Sequence, residues 1–436
     1  MKNSGKSNDS QFNYALSGVG VSGFVHPSSR RWTSKDVIDI ELFAGAGGMA
    51  IGLTRAGLAP DHLFEVDNSC ITTLERNAIG SSPWITGEIH PDDVGNVDWT
   101  HFDRPVRLLS GGPPCQPFSN GGKHLAERDA RNQFPATLRA IRALRPAAIL
   151  LENVPGLNRG KFRAYFDYII RQLECPSLTQ KKGEAWQDHD KRLRKRQGSK
   201  YYAPEYHVDR WTLNAADHGI GQSRTRVFLV ATRAEFSRVE RPKPTHGRAA
   251  LIEYQRCGDY WRDRGLQQRG RKNWPRRVHG ETDNPSEDLF PWVTVRDSIS
   301  SLPEPTEENV AENNHWLISG ARIYKGHTGT KLDWPAKTIK AGVHGVAGGE
   351  NVVHLDDGTF RYFTLREMAR LQGFPDDYIF EGSRSCVIRQ IGNAVPCELV
   401  RCIGENILHS LGQSTDQRRK PRRHVCESSF NQGAST

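Results

Sequence analysis

Nowhere does the sequence hold the roughly 18 consecutive apolar residues of a membrane-spanning helix. Its opening, MKNSGKSNDSQF, also lacks the apolar run of a signal peptide. A cytoplasmic protein with no membrane partner is therefore expected. The eight cysteines stand singly and form no CxxC pair, which argues against a disulfide framework and a clustered zinc site. No metal is expected, and no internal repeat is visible. The glycine-rich turn at residues 44–48 has neither the GxGxxG dinucleotide spacing nor the Lys-Ser/Thr of a Walker loop.

Positive charge is what the chain has in excess. Its 60 Lys and Arg exceed its 50 Asp and Glu, a formal charge of +10. Such a balance fits a polyanion, because cations placed near phosphates release counterions and raise affinity. At 436 residues the chain can bury a full core and is expected to form two domains.

Residues 1–34, rich in Ser, Asn and Gly, read as an N-terminal arm. Residues 37–43 read as a buried strand, broken by Ala44-Gly45-Ala46-Gly47-Gly48. A helix carrying Met49, Leu53 and Ala56 follows, with Gly57 as its stop. Further strands are expected at 62–66, 106–110, 147–151 and 225–230, a third element ends near Asp93-Val94, and helices lie at 69–78 and 134–144. This alternation predicts an α/β fold, a mostly parallel Rossmann-like sheet with helices on both faces. Residues 171–210 break the rhythm, and the basic piece 181–200 reads as an exposed insertion. From about 232 to 360 Pro, Gly, Trp and Arg dominate, which suggests a smaller basic domain of irregular segments and short strands. Thr364 with Glu367 fits a capping box, a closing helix is expected from Pro396 to about Leu408, and residues 413–436 read as a tail.

Two loops carry the chemistry. In the first, Phe43 to Gly48, glycines let the backbone approach a ligand, and the amides at the helix start favour an anionic group. Asp67, after the second strand, can accept both hydroxyls of a ribose. Asp93 can face an adenine amino group; Glu88 is the alternative acid, and the Val94 that follows Asp93 favours the latter. In the second loop, Gly111-Gly112-Pro113-Pro114-Cys115-Gln116-Pro117 follows a strand at its carboxyl end, where open α/β sheets place ligands. Its prolines restrict the backbone around Cys115, and a Gly-Pro loop is a poor setting for a core cysteine.

The ordered motifs resemble those of the DNA cytosine-5 methyltransferases over Ile38 to about Leu408. Phe43 to Gly48 resembles the cofactor loop, Pro113-Pro114-Cys115-Gln116 the nucleophile motif and Glu152-Asn153-Val154 the acid motif. Gln222-Ser223-Arg224-Thr225-Arg226 resembles the paired-arginine motif, while Gln372-Gly373-Phe374-Pro375 and Gln390 to Pro396 match the last two.

The resemblance implies S-adenosylmethionine as methyl donor, duplex DNA as partner and no metal. It implies that Cys115 adds to C6 of a flipped cytosine while Glu152 assists at N3. Arg226 is expected at the base, supporting the geometry of Cys115 and Glu152, with Arg224 and Gln222 holding the loop or backbone. Phe43, Ala44, Gly45, Gly47, Gly48, Asp67, Asn68, Asp93, Pro113, Asn393 and Val395 are expected around the cofactor, Asn393 also bracing the domain junction. Asn68 stands where many relatives carry an aromatic over the adenine, so Ile89 or Val94 is expected to cover the ring. Residues 35–231 would form the cofactor-binding and catalytic domain, 232–360 the target-recognition domain, and 361–412 the return to the first.

Gln116, Ser119, Thr338, Arg262, Arg264, Arg269, Arg271 and Lys272 are expected at DNA. Residues 342–349 could be a loop approaching DNA or an ordinary glycine-rich turn. A tRNA methyltransferase of the same chemistry is the nearest alternative, but the Cys-Phe-Thr signature of that group is missing. A silent DNA-binding module should have lost Cys115 or Glu152. With only a short arm before its catalytic part, the chain looks like a prokaryotic modification enzyme. It is expected to be a monomer, and a cognate restriction endonuclease would act separately.

Overall fold

Isoleucine, leucine and alanine fill the strands at the centre of the molecule, and this composition is what a sheet covered on both faces demands. The computed structural model describes residues 36–114, 132–158, 160–268, 289–306, 314–323, 329–341 and 351–412. Strands β1 (Ile38–Leu42), β4 (Val106–Gly111) and β5 (Ala148–Asn153) are buried at every position. With β2 (His62–Phe64), β3 (Glu88–His90), β6 (Tyr206–Asn214) and β7 (Thr225–Arg233) they make a seven-stranded sheet of order β3-β2-β1-β4-β5-β7-β6. β1 to β5 run parallel, whereas β7 is antiparallel to both β5 and β6.

Strand order reverses at β1, which pairs with β2 on one side and β4 on the other. A crevice opens at the carboxyl ends of strands around such a switch point. Here Leu42 pairs with Gly111, so the loops at 43–48 and 112–114 leave the sheet side by side.

Helix α1 (Gly48–Ala56) follows the first loop and stops at Gly57, whose φ of 87° suits a residue without a Cβ. α2 (Asn68–Arg76) follows β2, and α3 (Phe134–Leu144) matches the sequence expectation at both ends. α4 (Gly160–Glu174) packs with α3 on one face of the sheet, in the cluster that includes Ile141, Phe166 and Ile169.

The span 171–210 is only partly the insertion expected. Its end, residues 206–210, already belongs to β6, which pairs with β7 from Tyr206↔Arg233 to Asn214↔Thr225. Tyr-His-Val-Asp-Arg-Trp hides its strand character because an edge strand keeps charges on its exposed positions. Before it, α5 (Trp186–Gln197) docks on α4: Tyr168 Oη lies 2.8 Å from His189 Nδ1, and Arg171 Nε donates to Asp190 at 2.6 Å.

The described residues between 234 and 362 form small pieces, in keeping with the weak periodicity of this region. They include helices α6 (Arg248–Arg256), α7 (Asp259–Arg262) and α8 (Val295–Ile299). β8 (His246–Gly247) pairs with β9 (Phe290–Pro291), and β11 (Val352–His354) lies between β10 (Thr330–Lys331) and β12 (Phe360–Tyr362).

The chain then returns. Thr364 and Glu367 form the expected capping box at the start of α9 (Leu365–Leu371). After α10 (Arg384–Asn393), α11 (Cys397–Ser410) lies against α1, and a Cβ added at Gly52 would stand 2.4 Å from the Cys397 carbonyl oxygen. Only glycine permits that approach. Among the described residues no helix is long and apolar enough to cross a membrane.

Candidate active site

Glu152 and Asn153 end β5 opposite Phe228 and Val227 of the antiparallel strand β7. That pairing brings the Arg226 Nε to 2.9 Å from Glu152 Oε1, with both side chains about nine-tenths buried. Burial pushes the Glu152 carboxyl above its ordinary range, against the opposing pull of Arg226 and Arg224. A group so placed is stabilised in its neutral, hydrogen-bond-donating form.

Asn153 turns the other way. Its Nδ2 donates to the Pro113 carbonyl at 3.0 Å, and its Oδ1 accepts from the Val154 N–H. The carboxylate neighbours the same loop, since a Cβ at Gly112 would lie 3.5 Å from Glu152 Oε2. Pro114 accepts from the Gln133 N–H at 3.3 Å, which fixes where the segment 115–131 leaves and re-enters. Cys115, Gln116 and Ser119 lie outside the described residues, but the backbone on which Cys115 follows is anchored beside Glu152.

Gln222 and Arg224 are buried braces rather than groups open to a substrate. Arg224 donates to the carbonyls of Ile339, Gly392 and Ala394 at 3.1, 2.7 and 3.0 Å. Gln222 donates to the Leu371 carbonyl at 3.0 Å and accepts from the Ile339 N–H at 2.9 Å. Together they tie the entry of β7 to the segment 336–339 and to both ends of the returning helices. The expected brace at Asn393 is corrected in part: its own side chain is exposed, and the carbonyls on either side receive Arg224.

At the first loop the backbone is forced into left-handed conformations at Phe43, Gly45 and Gly47, with φ of 56°, 55° and 78°. Gly47 must also lack a side chain, because a Cβ there would meet Tyr378 Oη at 2.8 Å and Leu74 at 3.0 Å. Ala44 and Gly48 are buried, and a Cβ on Gly48 would stand 2.8 Å from the Val395 carbonyl, so Val395 borders the loop from α11's approach.

Asp67 does not face this loop. Its carboxylate caps α2 by accepting from the Ser69 N–H at 2.9 Å, and it pairs with Arg389 at 3.1 Å. The acid at the loop is Glu65, which the sequence reading passed over: it accepts from Gly45 N–H at 2.7 Å and from the Val66 and Asp67 N–H groups at 2.8 Å. The acid that opens an Asp/Ser-capped helix was the signal that could have separated them.

With the acid at Glu65, the residue after it is Val66, 58% exposed, rather than Asn68, which begins α2. Val94 is buried in the core and Ile89 packs against a second cluster. Asp93 is exposed beyond the end of β3 and accepts from the Gly95 N–H at 2.7 Å.

Beneath the loop Glu41 is wholly buried. It accepts from the Ala50 N–H, its Oε2 has no hydrogen-bond partner, and burial together with the charge of Glu65 raises its carboxyl well above the ordinary range. The acid that bonds the glycine loop itself is Glu65, through the Gly45 N–H.

The DNA-facing expectations fare unevenly. Thr338 is half-buried and donates to the Ser223 carbonyl at 2.9 Å. Arg262 is exposed but paired with Asp259 at 2.5 Å. Arg264 is corrected: it is held by Asp297 at 2.6 Å and lies 3.8 Å over the Tyr260 ring, a structural cation. Arg269, Arg271, Lys272 and residues 342–349 lie outside the described residues.

The sequence profile for C-5 cytosine-specific DNA methylase matches residues 37–175 and 187–409, and the internal gap at 176–186 falls between α4 and the first turn of α5. The type II methyltransferase M.PspPI of Psychrobacter sp. (strain TA137) is 29% identical over 378 residues, 85% of this chain and 79% of that one. M.NgoMIV of Neisseria gonorrhoeae is 29% identical over 374 residues, 85% of this chain and 97% of that one. In fold the chain is similar to the S. pombe Dnmt2 methyltransferase, with a TM-score of 0.51 at 18% identity over 86% of this chain and 99% of the other. The profile runs through every strand of the central sheet and through the returning helices, so the chain belongs to the C-5 cytosine-specific DNA methylase family: it is a DNA (cytosine-5-)-methyltransferase with the fold of S-adenosylmethionine-dependent enzymes.

Proposed function

We propose that the chain methylates carbon 5 of a cytosine flipped out of a specific duplex sequence, through covalent addition of Cys115 to C6 with Glu152 assisting at N3. The observation that carries the reading is the buried Glu152–Arg226 pair beside a loop that Asn153 pins at Pro113, two residues before Cys115.

Carbon 5 of cytosine is a weak nucleophile until the ring is attacked at C6. The Cys115 thiolate forms the S–C6 bond, and the electrons displaced from the C5–C6 bond make C5 nucleophilic. Glu152, held toward its neutral form, donates to N3 as charge accumulates there, and Arg226 fixes its carboxyl. Bound S-adenosylmethionine would supply the electrophilic methyl group to which C5 bonds, its S–CH3 bond breaking to leave S-adenosylhomocysteine. Loss of the C5 proton to a base then re-forms the double bond and expels the thiolate. None of this fits inside a stacked duplex, so the nucleotide must leave the helix.

Glu65 rather than Asp67 takes the ribose hydroxyls, Val66 covers the adenine and Asp93 faces its amino group. Residues 35–231 with 361–412 form the catalytic domain, residues 232–360 read the target, and Thr338 and exposed cations follow phosphates. The names of the curated relatives support a modification enzyme. We take it to act as a monomer, separately from any cognate endonuclease.

The test is incubation of the protein with radiolabelled S-adenosylmethionine and mixed-sequence duplex DNA, beside a tRNA pool and the Cys115→Ser variant. Label at carbon 5 of cytosine in DNA, lost in the variant, is expected. Label confined to tRNA, or undiminished in Cys115→Ser, would overturn the proposal.

A further inference from the structure

At the far edge of the sheet, three side chains from two strands meet. His62 begins β2, while Glu88 and His90 stand two residues apart on β3 and so share a face. Parallel register pairs His62 with Glu88 and Phe64 with His90, which puts both rings and the carboxylate on that face. His62 Nδ1 lies 3.0 Å from His90 Nε2, and Glu88 Oε2 lies 3.4 Å from the first and 3.6 Å from the second.

We propose that His62, Glu88 and His90 form a binding site for one divalent transition-metal ion, with Zn2+ the best match. Tetrahedral zinc with ligands about 2.0–2.1 Å away needs donor atoms roughly 3.4 Å from one another. The three observed separations fall on either side of that value. Two imidazoles and one carboxylate are a donor set that zinc accepts, with a fourth position left for water.

The rings are set by packing that does not involve an ion. His90 stacks on Phe64 with centroids 4.6 Å apart and planes at 14°, and His62 meets Phe102 edge-on at 5.0 Å. Such support holds donor atoms in place before a metal arrives. Each neutral imidazole can carry its proton on the nitrogen turned away, leaving two lone pairs facing a common point. The side chains of His62, His90 and Glu88 are 21%, 20% and 67% exposed, which leaves a route in from solvent.

The site is separate from the methyl-transfer centre. β3 and β5 are four strand spacings apart in the sheet, roughly 19 Å at about 4.8 Å each. A metal there would fasten β2 to β3 just before the segments that carry Glu65 and Asp93, and its role would be to stiffen the cofactor side of the sheet. No local pattern announces this cluster, since His62 is 26 positions from Glu88 and neither flank resembles a zinc motif.

The experiment is titration of the chelator-treated full-length protein with Zn2+ by calorimetry and with Co2+ by visible absorption. Wild type should take up one equivalent, gain thermal stability and give the spectrum of Co2+ bound by nitrogen and oxygen. Glu88→Gln, on an exposed side chain, should weaken Zn2+ at least about tenfold, comparable with the loss of a supporting ligand contact. His62→Gln with His90→Gln should remove the equivalent. A thiolate charge-transfer band, undiminished binding in Glu88→Gln, or no uptake by wild type would each overturn the proposal; the first would point to exposed Cys257 or half-buried Cys386.

Discussion

Arg226 on β7 holds Glu152 on β5 across an antiparallel pair, Nε to Oε1 at 2.9 Å, with both side chains about nine-tenths buried. Removing one partner of a buried pair strands the other charge, at a cost of about 3–5 kcal/mol. Arg226→Ala should therefore lower stability by that order and abolish methyl transfer. Glu152→Gln with Arg226→Met should recover much of the stability and none of the activity. Denaturant unfolding beside a methyl-transfer assay checks both; a double variant no more stable than Arg226→Ala would refute the coupling.

The raised Glu152 carboxyl makes a separate prediction about pH. A carboxyl that holds its proton more tightly when folded stabilises the fold below its unfolded value of about 4.3, and that contribution is lost as pH rises through the folded value. Wild type should thus lose stability relative to Glu152→Gln over this window, because burial is the leading cause of the shift. Thermal unfolding of the two proteins across pH measures the difference. Parallel curves would mean that Glu152 titrates as it does in the unfolded chain.

Glu65 and Asp67 should separate cleanly. Glu65 faces the glycine loop, so Glu65→Gln should weaken S-adenosylmethionine binding at least about tenfold, the loss of roughly 1.4 kcal/mol of charged hydrogen bonding. Asp67 caps α2, so Asp67→Ala should cost about 1 kcal/mol of stability and leave cofactor affinity nearly intact. Calorimetric titration with the cofactor decides between them. Equal losses of affinity would restore Asp67 to the ribose.

How far the sequence foretold this arrangement depended on range. β1, α1, α3, the capping box at Thr364 and the closing helix were legible because local periodicity and stop signals specify them. β6 was missed because an edge strand carries charges where a central strand carries leucine. The association of Arg226 with Glu152 was an expectation of the family resemblance alone, since it needs two strands 74 positions apart to come into register and no local pattern encodes that. Glu65 went unread beside Asp67 because both follow β2 and only side-chain direction tells them apart. Arg264 looked like one cation in a basic run, and its Asp297 partner lies 33 positions away.

Asn153 should prove a positioning residue. Its Nδ2 is the bond that fixes the Pro113 carbonyl, and reacting groups misplaced by a fraction of an ångström lose rate steeply. Asn153→Ala should lower kcat by about tenfold or more, on the scale of one lost hydrogen bond, while KM for S-adenosylmethionine stays within about twofold. Steady-state kinetics with each substrate varied separates the two. A rise in KM for the cofactor with kcat unchanged would assign Asn153 to the binding loop instead.

The contact of α1 with α11 closes the molecule, and Gly52 tests it. A methyl group there would lie 2.4 Å from the Cys397 carbonyl and 2.6 Å from Val400 Cβ, both on the helix that returns from the far end of the chain. Alanine is the better helix former by about 0.8–1.0 kcal/mol, so propensity alone predicts stabilisation. Overpacking opposes it, costing about 1–3 kcal/mol when a well-packed core must move. Backbone cannot yield as a flexible side chain can, so the steric cost should win and Gly52→Ala should lose stability. Gly57→Ala would also lose stability, but through its φ of 87° rather than through contact, since the nearest atom to its Cβ is 3.5 Å away. Denaturant unfolding of Gly52→Ala with and without Val400→Ala tells the causes apart. If relieving Val400 restores nothing, the strain lies at the Cys397 carbonyl; if Gly52→Ala is the more stable protein, the two helices are less closely joined than their contact requires.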